Sequence, residues 1–386
     1  MRKVQTNTRF LNPTHQRFIE KLLDTFPPEL NTVYLVNSGS EANDLALRIA
    51  RAYASNKSSN SNKGQPKNPN HVICIDHAYH GHTQSLIEIS PYKWGQATDG
   101  LNYQPETTHV VSLPDTYRGK FKGFTRESGS KYASEVGSII DSIGGAGIFI
   151  HEIIVGCGGQ LLPPPGDFQD IYEQIRRHGG VCIADEVQTG FGRSGAHYWM
   201  FEEHDVVPDI VTLGKPMGNG YPLAAVVCRR EIADVFASSG IEYFNTFGGN
   251  NVACAIGEAV IDVVEEEGLQ ANAKHIGAYL KSEILKLKYE HGFAWIGDVR
   301  GLGFYQGVEL IKTETDPGSD LRPHTELASF IVDFMLTQRI IVSRDGPHNN
   351  VLKIKPPMVF TVEHADMFIV GLRCALEAAR KTGRFH

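Results

Sequence analysis

The chain reads as an α/β protein: a large domain with a mainly parallel sheet wrapped by helices, then a smaller C-terminal α/β domain. Three observations carry that reading. Short apolar runs of strand length alternate with periodic helical stretches through the first two thirds of the sequence, the pattern of a parallel sheet covered by helices. Two of those runs, 181–184 and 210–213, end in Asp185 and in Gly214-Lys215, which places an acid and an amine at the carboxyl edge of one sheet. That edge is where open α/β sheets hold ligands. Beyond about Asn272 the pattern changes, and strands and helices recur in a shorter second series.

In chain order, residues 15–26 form an amphipathic stretch closed by Pro27 and Pro28, which predicts a helix. A strand at 33–36 leads through the turn Asn37-Ser38-Gly39-Ser40 into a strongly periodic helix over 41–54. Residues 55–70 are rich in Ser, Asn, Lys and Pro and read as an exposed polar loop. Strands follow at 72–75 and 148–154, a helix at 168–178, and the two strands already named. A long helix over 252–267 leads out of the large domain. The second series has strands at 304–310, 340–343 and 351–354, separated by helices at 326–338 and 363–381. The expected division is 1–272 and 273–386, with no internal repeat.

Composition narrows the class. A chain of 386 residues with 41% hydrophobic and 21% charged residues builds a large core without a disulfide or metal staple. The net charge of −7 and the lack of a basic run argue against a nucleic-acid surface. The cysteines Cys74, Cys157, Cys182, Cys228, Cys254 and Cys374 are scattered and form no C-x-x-C pair, so they read as reduced thiols of an intracellular protein. No apolar stretch approaches the roughly 20 residues of a membrane span. The first residues lack an apolar signal core, which leaves cytoplasm and mitochondrial matrix equally open.

Several motifs carry chemistry. Val36-Asn37-Ser38-Gly39-Ser40-Glu41 is a strand–turn–helix junction whose free N–H groups suit a phosphate, although a simple helix cap gives the same pattern. Neither G-x-G-x-x-G nor G-x-x-x-x-G-K-[ST] stands at such a junction, which counts against a dehydrogenase or a P-loop enzyme. His77-Ala78-Tyr79-His80-Gly81-His82 lacks the spacing of a helical zinc pair, and no metal is expected there. Tyr79, at a strand's carboxyl end, can stack on a flat ring; a polar surface loop is the plain alternative. Asp185 and Lys215 together are what pyridoxal phosphate requires, an amine for its aldehyde and an acid to keep its ring nitrogen protonated. Thr246, among the glycines of Asn245-Thr246-Phe247-Gly248-Gly249, is a second candidate phosphate donor.

With these motifs in this order, the sequence resembles the class III aminotransferases, pyridoxal-phosphate enzymes of fold type I, along essentially its whole length. The resemblance implies that Gly39 and Ser40 bind the cofactor phosphate. Tyr79 would stack on the ring with His80 beside it, and Asp185 would pair with the ring nitrogen. Val187 would pack behind the ring, Gln188 would approach its 3-hydroxyl, and Lys215 would carry the Schiff base. Thr246 would reach the phosphate held by a neighbouring subunit, so a homodimer is expected. It also implies several dozen residues ahead of the Gln5–Leu11 region, without which part of the site wall is missing.

Two departures from the family pattern select a branch. Transaminases of the family place an arginine three residues before a Pro-Pro pair, as a clamp for the substrate carboxylate. Here Leu352-Lys353-Ile354-Lys355-Pro356-Pro357 puts Lys353 there, and a point charge is no substitute for a planar fork. The gate glutamate of the E-P-x-Q-G-E segment is replaced by Cys157 in Glu152-Ile153-Ile154-Val155-Gly156-Cys157. Pro91-Tyr92-Lys93-Trp94, Leu113-Pro114-Asp115-Thr116-Tyr117-Arg118-Gly119 and the Lys353 segment resemble the phospho-lyases that act on phosphoethanolamine or 5-phosphohydroxylysine. The implied reaction removes phosphate from an O-phosphorylated 1,2-amino alcohol, giving an aldehyde, ammonia and phosphate. Lys215 would be the base, and Lys93, Arg118 and Lys353 the candidate phosphate binders. A class III ω-amino acid or amine transaminase and an inactive dimeric relative are the alternatives.

Overall fold

The computed structural model describes residues 10–59, 68–313 and 321–385. Its main sheet has seven strands: β1 (Thr32–Val36), β2 (Val72–Ile75), β3 (Thr108–Val111), β4 (Ile148–Glu152), β5 (Val181–Asp185), β6 (Ile210–Leu213) and β7 (Ala224–Cys228). Their order across the sheet is β1-β7-β6-β5-β4-β2-β3. Only β7 runs against the rest, because it follows β6 directly and pairs with it antiparallel. The ends of β1, β2, β4, β5 and β6 therefore lie along one edge.

Alternation along these strands divides their side chains between two cores. Val72, Cys74, Ile148, Ile150, Val181, Ile183 and Ile210 face α2 (Gly39–Ser59, numbered after α1 at Pro13–Leu23), which lies across β4 to β7. Ile73, Ile75, Phe149, Cys182, Ala184, Val211 and Leu213 face the opposite layer. The helices α3 (Gln84–Ile87), α4 (Arg126–Ile143), α5 (Asp167–Arg177), α6 (Arg230–Ala237) and α7 (Asn251–Glu266) complete the covering of this sheet.

A second sheet joins β8 (Ile296–Leu302), β9 (Tyr305–Leu310), β10 (Ser343–Asp345) and β11 (Val351–Ile354) in the order β10-β11-β9-β8, all antiparallel. One face packs on α8 (Leu269–Tyr289), α9 (Thr325–Thr337) and α10 (Val362–Thr382), and residues from Ala273 to Phe385 make a core of their own. Val308, Leu310, Leu352 and Ile354 point into that core. Their neighbours in the alternation, Tyr305, Glu309, Lys353 and Lys355, turn toward the first sheet.

Two expected boundaries move. The helix expected over 41–54 begins at Gly39, where Ser38 caps it by accepting from the Glu41 N–H at 3.1 Å, and it runs to Ser59. The expected polar loop at 55–70 is thus helical at its start, and residues 60–67 lie outside the described residues. The strand expected at 340–343 begins only at Ser343. Arg339 adopts φ +62°, and the Ile340 N–H returns to the Met335 carbonyl at 2.9 Å. The apolar Ile340 and Ile341 therefore belong to a left-handed helix terminus.

Candidate active site

The strand ends converge on a cavity of about 170 Å³ lined by Ser38, Gly39, Asn43, Tyr79, Glu152, Asp185, Gln188 and Lys215, among others. Larger cavities exist, one of about 500 Å³ beside Phe191, Val260 and Met358, but it has an apolar lining. Convergent polar groups single out the smaller one.

Asp185 gets there by alternation. Val181 and Ile183 face α2, so Asp185 does too, and there it meets Asn43. Its Oδ2 accepts from Asn43 Nδ2 at 2.8 Å and pairs with His80 Nδ1 at 2.9 Å; its Oδ1 accepts from the Val187 N–H at 3.1 Å. Asn43 is fixed in turn, accepting from Thr212 Oγ1 at 2.7 Å and donating to the His80 carbonyl at 2.8 Å. With these partners the buried carboxylate offsets its desolvation and holds one orientation. Glu152, on the same face of β4, accepts from the Tyr79 N–H at 2.9 Å and the Gly156 N–H at 3.2 Å. Burial pushes its carboxyl up to about 6.

Lys215 opens a short 3₁₀ turn with φ +31°, a left-handed conformation that a lysine adopts only under constraint. Its ammonium lies 5.9 Å from the centre of the Tyr79 ring. Gly39 is packed so tightly that a Cβ there would come within 2.7 Å of Val187 Cγ1. The start of α2 thus meets the cavity as bare backbone, and its first N–H groups have no partner within the helix.

The class-III aminotransferase family model matches residues 3–376. The chain belongs to that family. It is 46% identical to the alanine–glyoxylate aminotransferase 2-like protein of Drosophila melanogaster over 386 residues, covering 98% of this chain and 74% of that one. It is 40% identical to ethanolamine-phosphate phospho-lyase homolog 1 of Caenorhabditis elegans over 370 residues, covering 92% and 74%. A solved phospholyase from Arthrobacter in complex with phosphoethanolamine superposes with a TM-score of 0.85 at 34% identity, covering 97% of this chain and 84% of that one. The fold is that of the class III aminotransferases, fold type I, and the family's cofactor is pyridoxal phosphate.

The cavity fits that cofactor. Val187 and Tyr79 offer flat walls, the start of α2 suits a dianion, and an amine and a fixed carboxylate are both present. His80 is buried, and its Nε2 has no hydrogen-bond partner in the cavity wall.

The other sequence candidates disperse. Thr246 is exposed on the loop before α7, outside the cavity lining. That loop is tied to the start of α2 by Asn245, which accepts from Asn37 Nδ2 at 2.9 Å. The histidines of the 77–82 segment turn to different partners: His77 to Asp76, His80 to Asp185, His82 to Tyr92. Lys93 is exposed, 5.3 Å from the Tyr92 ring. Arg118 is committed elsewhere, bonding Glu309 of β9 and the Leu321 carbonyl. Glu309 also receives Arg300, which donates to the Gly159 carbonyl at 2.8 Å, so these groups fasten the second sheet to the first. Lys353 pairs with Asp345 at 3.0 Å.

Sequence reasoning missed Asn43 and Lys355. Asn43 stands four residues after Gly39 as a polar break in the buried stripe Ala42, Leu45, Ala46, Ile49, a signal that was readable. Lys355 shares a strand face with Lys353, two residues on. Its Nζ donates to Gln188 Oε1 at 3.2 Å and lies 3.7 Å from the Tyr305 ring centre.

Proposed function

We propose that the protein is a pyridoxal-phosphate-dependent lyase that removes phosphate from an O-phosphorylated 1,2-amino alcohol such as phosphoethanolamine or 5-phosphohydroxylysine. The observation that carries this reading is the wall beyond Gln188. Lys353, Lys355 and Cys157 gather there with Asp345 and Glu152, close enough to act on one another's ionisation. A transaminase of the family would use an arginine and a gating glutamate at the Lys353 and Cys157 positions. A wall with two amines suits a phosphate dianion better than a carboxylate that must alternate with a second substrate. The phospho-lyase named among the relatives and the phosphoethanolamine-bound neighbour support the same branch.

In this reading the bound cofactor supplies an electron sink. Gly39 and Ser40 hold its phosphate, Tyr79 and Val187 enclose its ring with His80 alongside, and Gln188 meets its 3-hydroxyl. Asp185 keeps a proton on the ring nitrogen, and Asn43 and His80 keep Asp185 in place. Lys215 would anchor the cofactor through its amine and, once freed by the substrate, would serve as the base for the proton on the amine-bearing carbon. Phosphate would leave from the neighbouring carbon toward Lys353. Thr246, exposed beside Phe247 and Ile241, reaches a second copy of the chain and its cofactor phosphate.

A second reading, a class III transaminase, has one observation behind it: the 46% identical relative carries an aminotransferase name. Incubating the holoenzyme with phosphoethanolamine and separately with 5-phosphohydroxylysine distinguishes the two. Stoichiometric inorganic phosphate and ammonia are expected from at least one. Amino transfer to pyruvate or 2-oxoglutarate without phosphate release would overturn the lyase reading. No turnover of any amine, with cofactor bound through Lys215, would mark an inactive relative.

A further inference from the structure

Lys355 directly follows β11 of the second sheet, yet its ammonium ends on Gln188, a cavity residue in the turn after β5. An ammonium has only donors. The ammonium donates to the carbonyl oxygen of Gln188 at 3.2 Å, and in its charged form it accepts nothing in return, which favours this orientation of the amide. The second half of the amide, Nε2 with its two N–H groups, is then directed away from Lys355. It stands 3.5 Å from where a Cβ on Gly156 would lie, a point also flanked by the Tyr305 hydroxyl and Glu152 Oε2, and Glu152 is a residue of the cavity lining.

The lysine has little freedom to do otherwise. Its ammonium sits over the Tyr305 ring, and Pro356 and Pro357 stiffen the chain just after it. Arg193 Nη1 holds the Pro356 carbonyl at 2.9 Å. The charged and titratable groups around it are Lys353 and Asp345 from β11 and β10, Glu152 and Cys157 from the first sheet's edge and loop, and Tyr305 beneath. Burial, and then the Lys353 charge, lower the ammonium to about 7.

We propose that Lys355 is a positioning residue. By donating to Gln188 Oε1 it fixes the amide so that Gln188 offers N–H donors, not a carbonyl, to the oxygen of the bound ring. A small-domain side chain thereby sets the electrostatic character of a cofactor-domain wall. The inference rests on the assignment of this cavity to pyridoxal phosphate and not on the identity of the substrate.

The test is the pH titration of the bound cofactor's visible absorbance in the holoenzyme. Donors at the ring oxygen favour the form with more negative charge there, which is the deprotonated one. In Lys355→Met the midpoint moves up by about one pH unit, the scale of one lost charge-supporting hydrogen bond. Lys355→Arg, still a donor, restores the midpoint. In a Gln188→Met background the Lys355→Met change has no further effect. Gln188→Glu keeps a partner for Lys355 but removes the donors, and it also raises the midpoint, so the proposal stays testable if Lys355→Met does not fold. A Lys355→Met titration that superposes on wild type, no rescue by arginine, or a Gln188→Glu midpoint that stays or falls overturns it. Loss of the cofactor spectrum in wild-type protein would instead overturn the cavity assignment.

Discussion

At the scale of single residues, Lys215 and Asp185 reach the cavity by different means. Asp185 is delivered by strand alternation and then held by Asn43, His80 and the Val187 N–H. Lys215 is delivered by a strained turn, with φ +31° after Gly214, whose neighbours Val187 and Gly39 leave little space for a side chain. Under the proposed function, replacing Lys215 by Ala would remove the anchor and the base while relaxing that turn. Phosphate release should fall by roughly 10²–10⁴-fold, with the melting temperature of the apoprotein unchanged or slightly higher. Retained turnover in Lys215→Ala would remove it from the reaction. Asp185 and Lys215 were both legible in the sequence, because each follows a short apolar run directly. Lys355 was not, since nothing local says that a lysine of one sheet meets a glutamine of another.

At the scale of elements, the segment after β5 combines the site with a buried acid next to it. Glu186 is fully buried; Oε1 accepts from the Phe201 N–H at 2.8 Å and Oε2 from the Thr189 hydroxyl. Burial outweighs these donors and pushes the carboxyl up to about 7. The unfolded chain ionises this group at the ordinary lower pH. Its contribution to stability is therefore full below about 4.5 and lost as pH rises through about 7. Glu186→Gln keeps the acceptor for Phe201 and cannot ionise. It should be more stable than wild type by on the order of 2 kcal/mol at pH 8 and indistinguishable near pH 4. Denaturant melts across that range read the difference, and a gap independent of pH would show that ionisation is not its cause. Five strands of the first sheet were readable as runs because helices cover them on both faces, whereas β3 and β7 were not picked out. The start of β10 was not, because Ile340 and Ile341 imitate a strand while serving a helix end.

At the scale of the whole molecule, two sheets share one site. The second sheet turns Tyr305, Glu309, Lys353 and Lys355 toward the first, and Glu309 fastens Arg118 and Arg300 across the junction. The Arg118 and Arg300 cations hold the Glu309 carboxyl below its usual range in spite of its burial. The 241–247 loop, tied through Asn245 to the start of α2, carries Ile241 and Phe247 at 68% and 66% exposed. Apolar side chains this open next to Thr246 are what a homodimer would cover. Phe247→Asp should convert the dimer to monomer in sedimentation and weaken cofactor retention at least tenfold, about 1.4 kcal/mol. A wild-type monomer that keeps its cofactor would end the dimer proposal.

The sequence by itself determined the alternating α/β pattern and the pyridoxal-phosphate family; it also put Asp185 and Lys215 at neighbouring strand ends and set Lys353 and Cys157 apart from the transaminase pattern. Those are properties of neighbours along the chain, where periodicity and strand ends fix which residues share an edge. Only the tertiary structure decided that Asn43 supports Asp185, that Arg118 is spent on Glu309, and that Lys355 governs Gln188. Each of those pairs joins residues about 140 to 190 positions apart. Such partners are chosen by how buried charges find compensation when two packed sheets close on each other, and that choice is made in space.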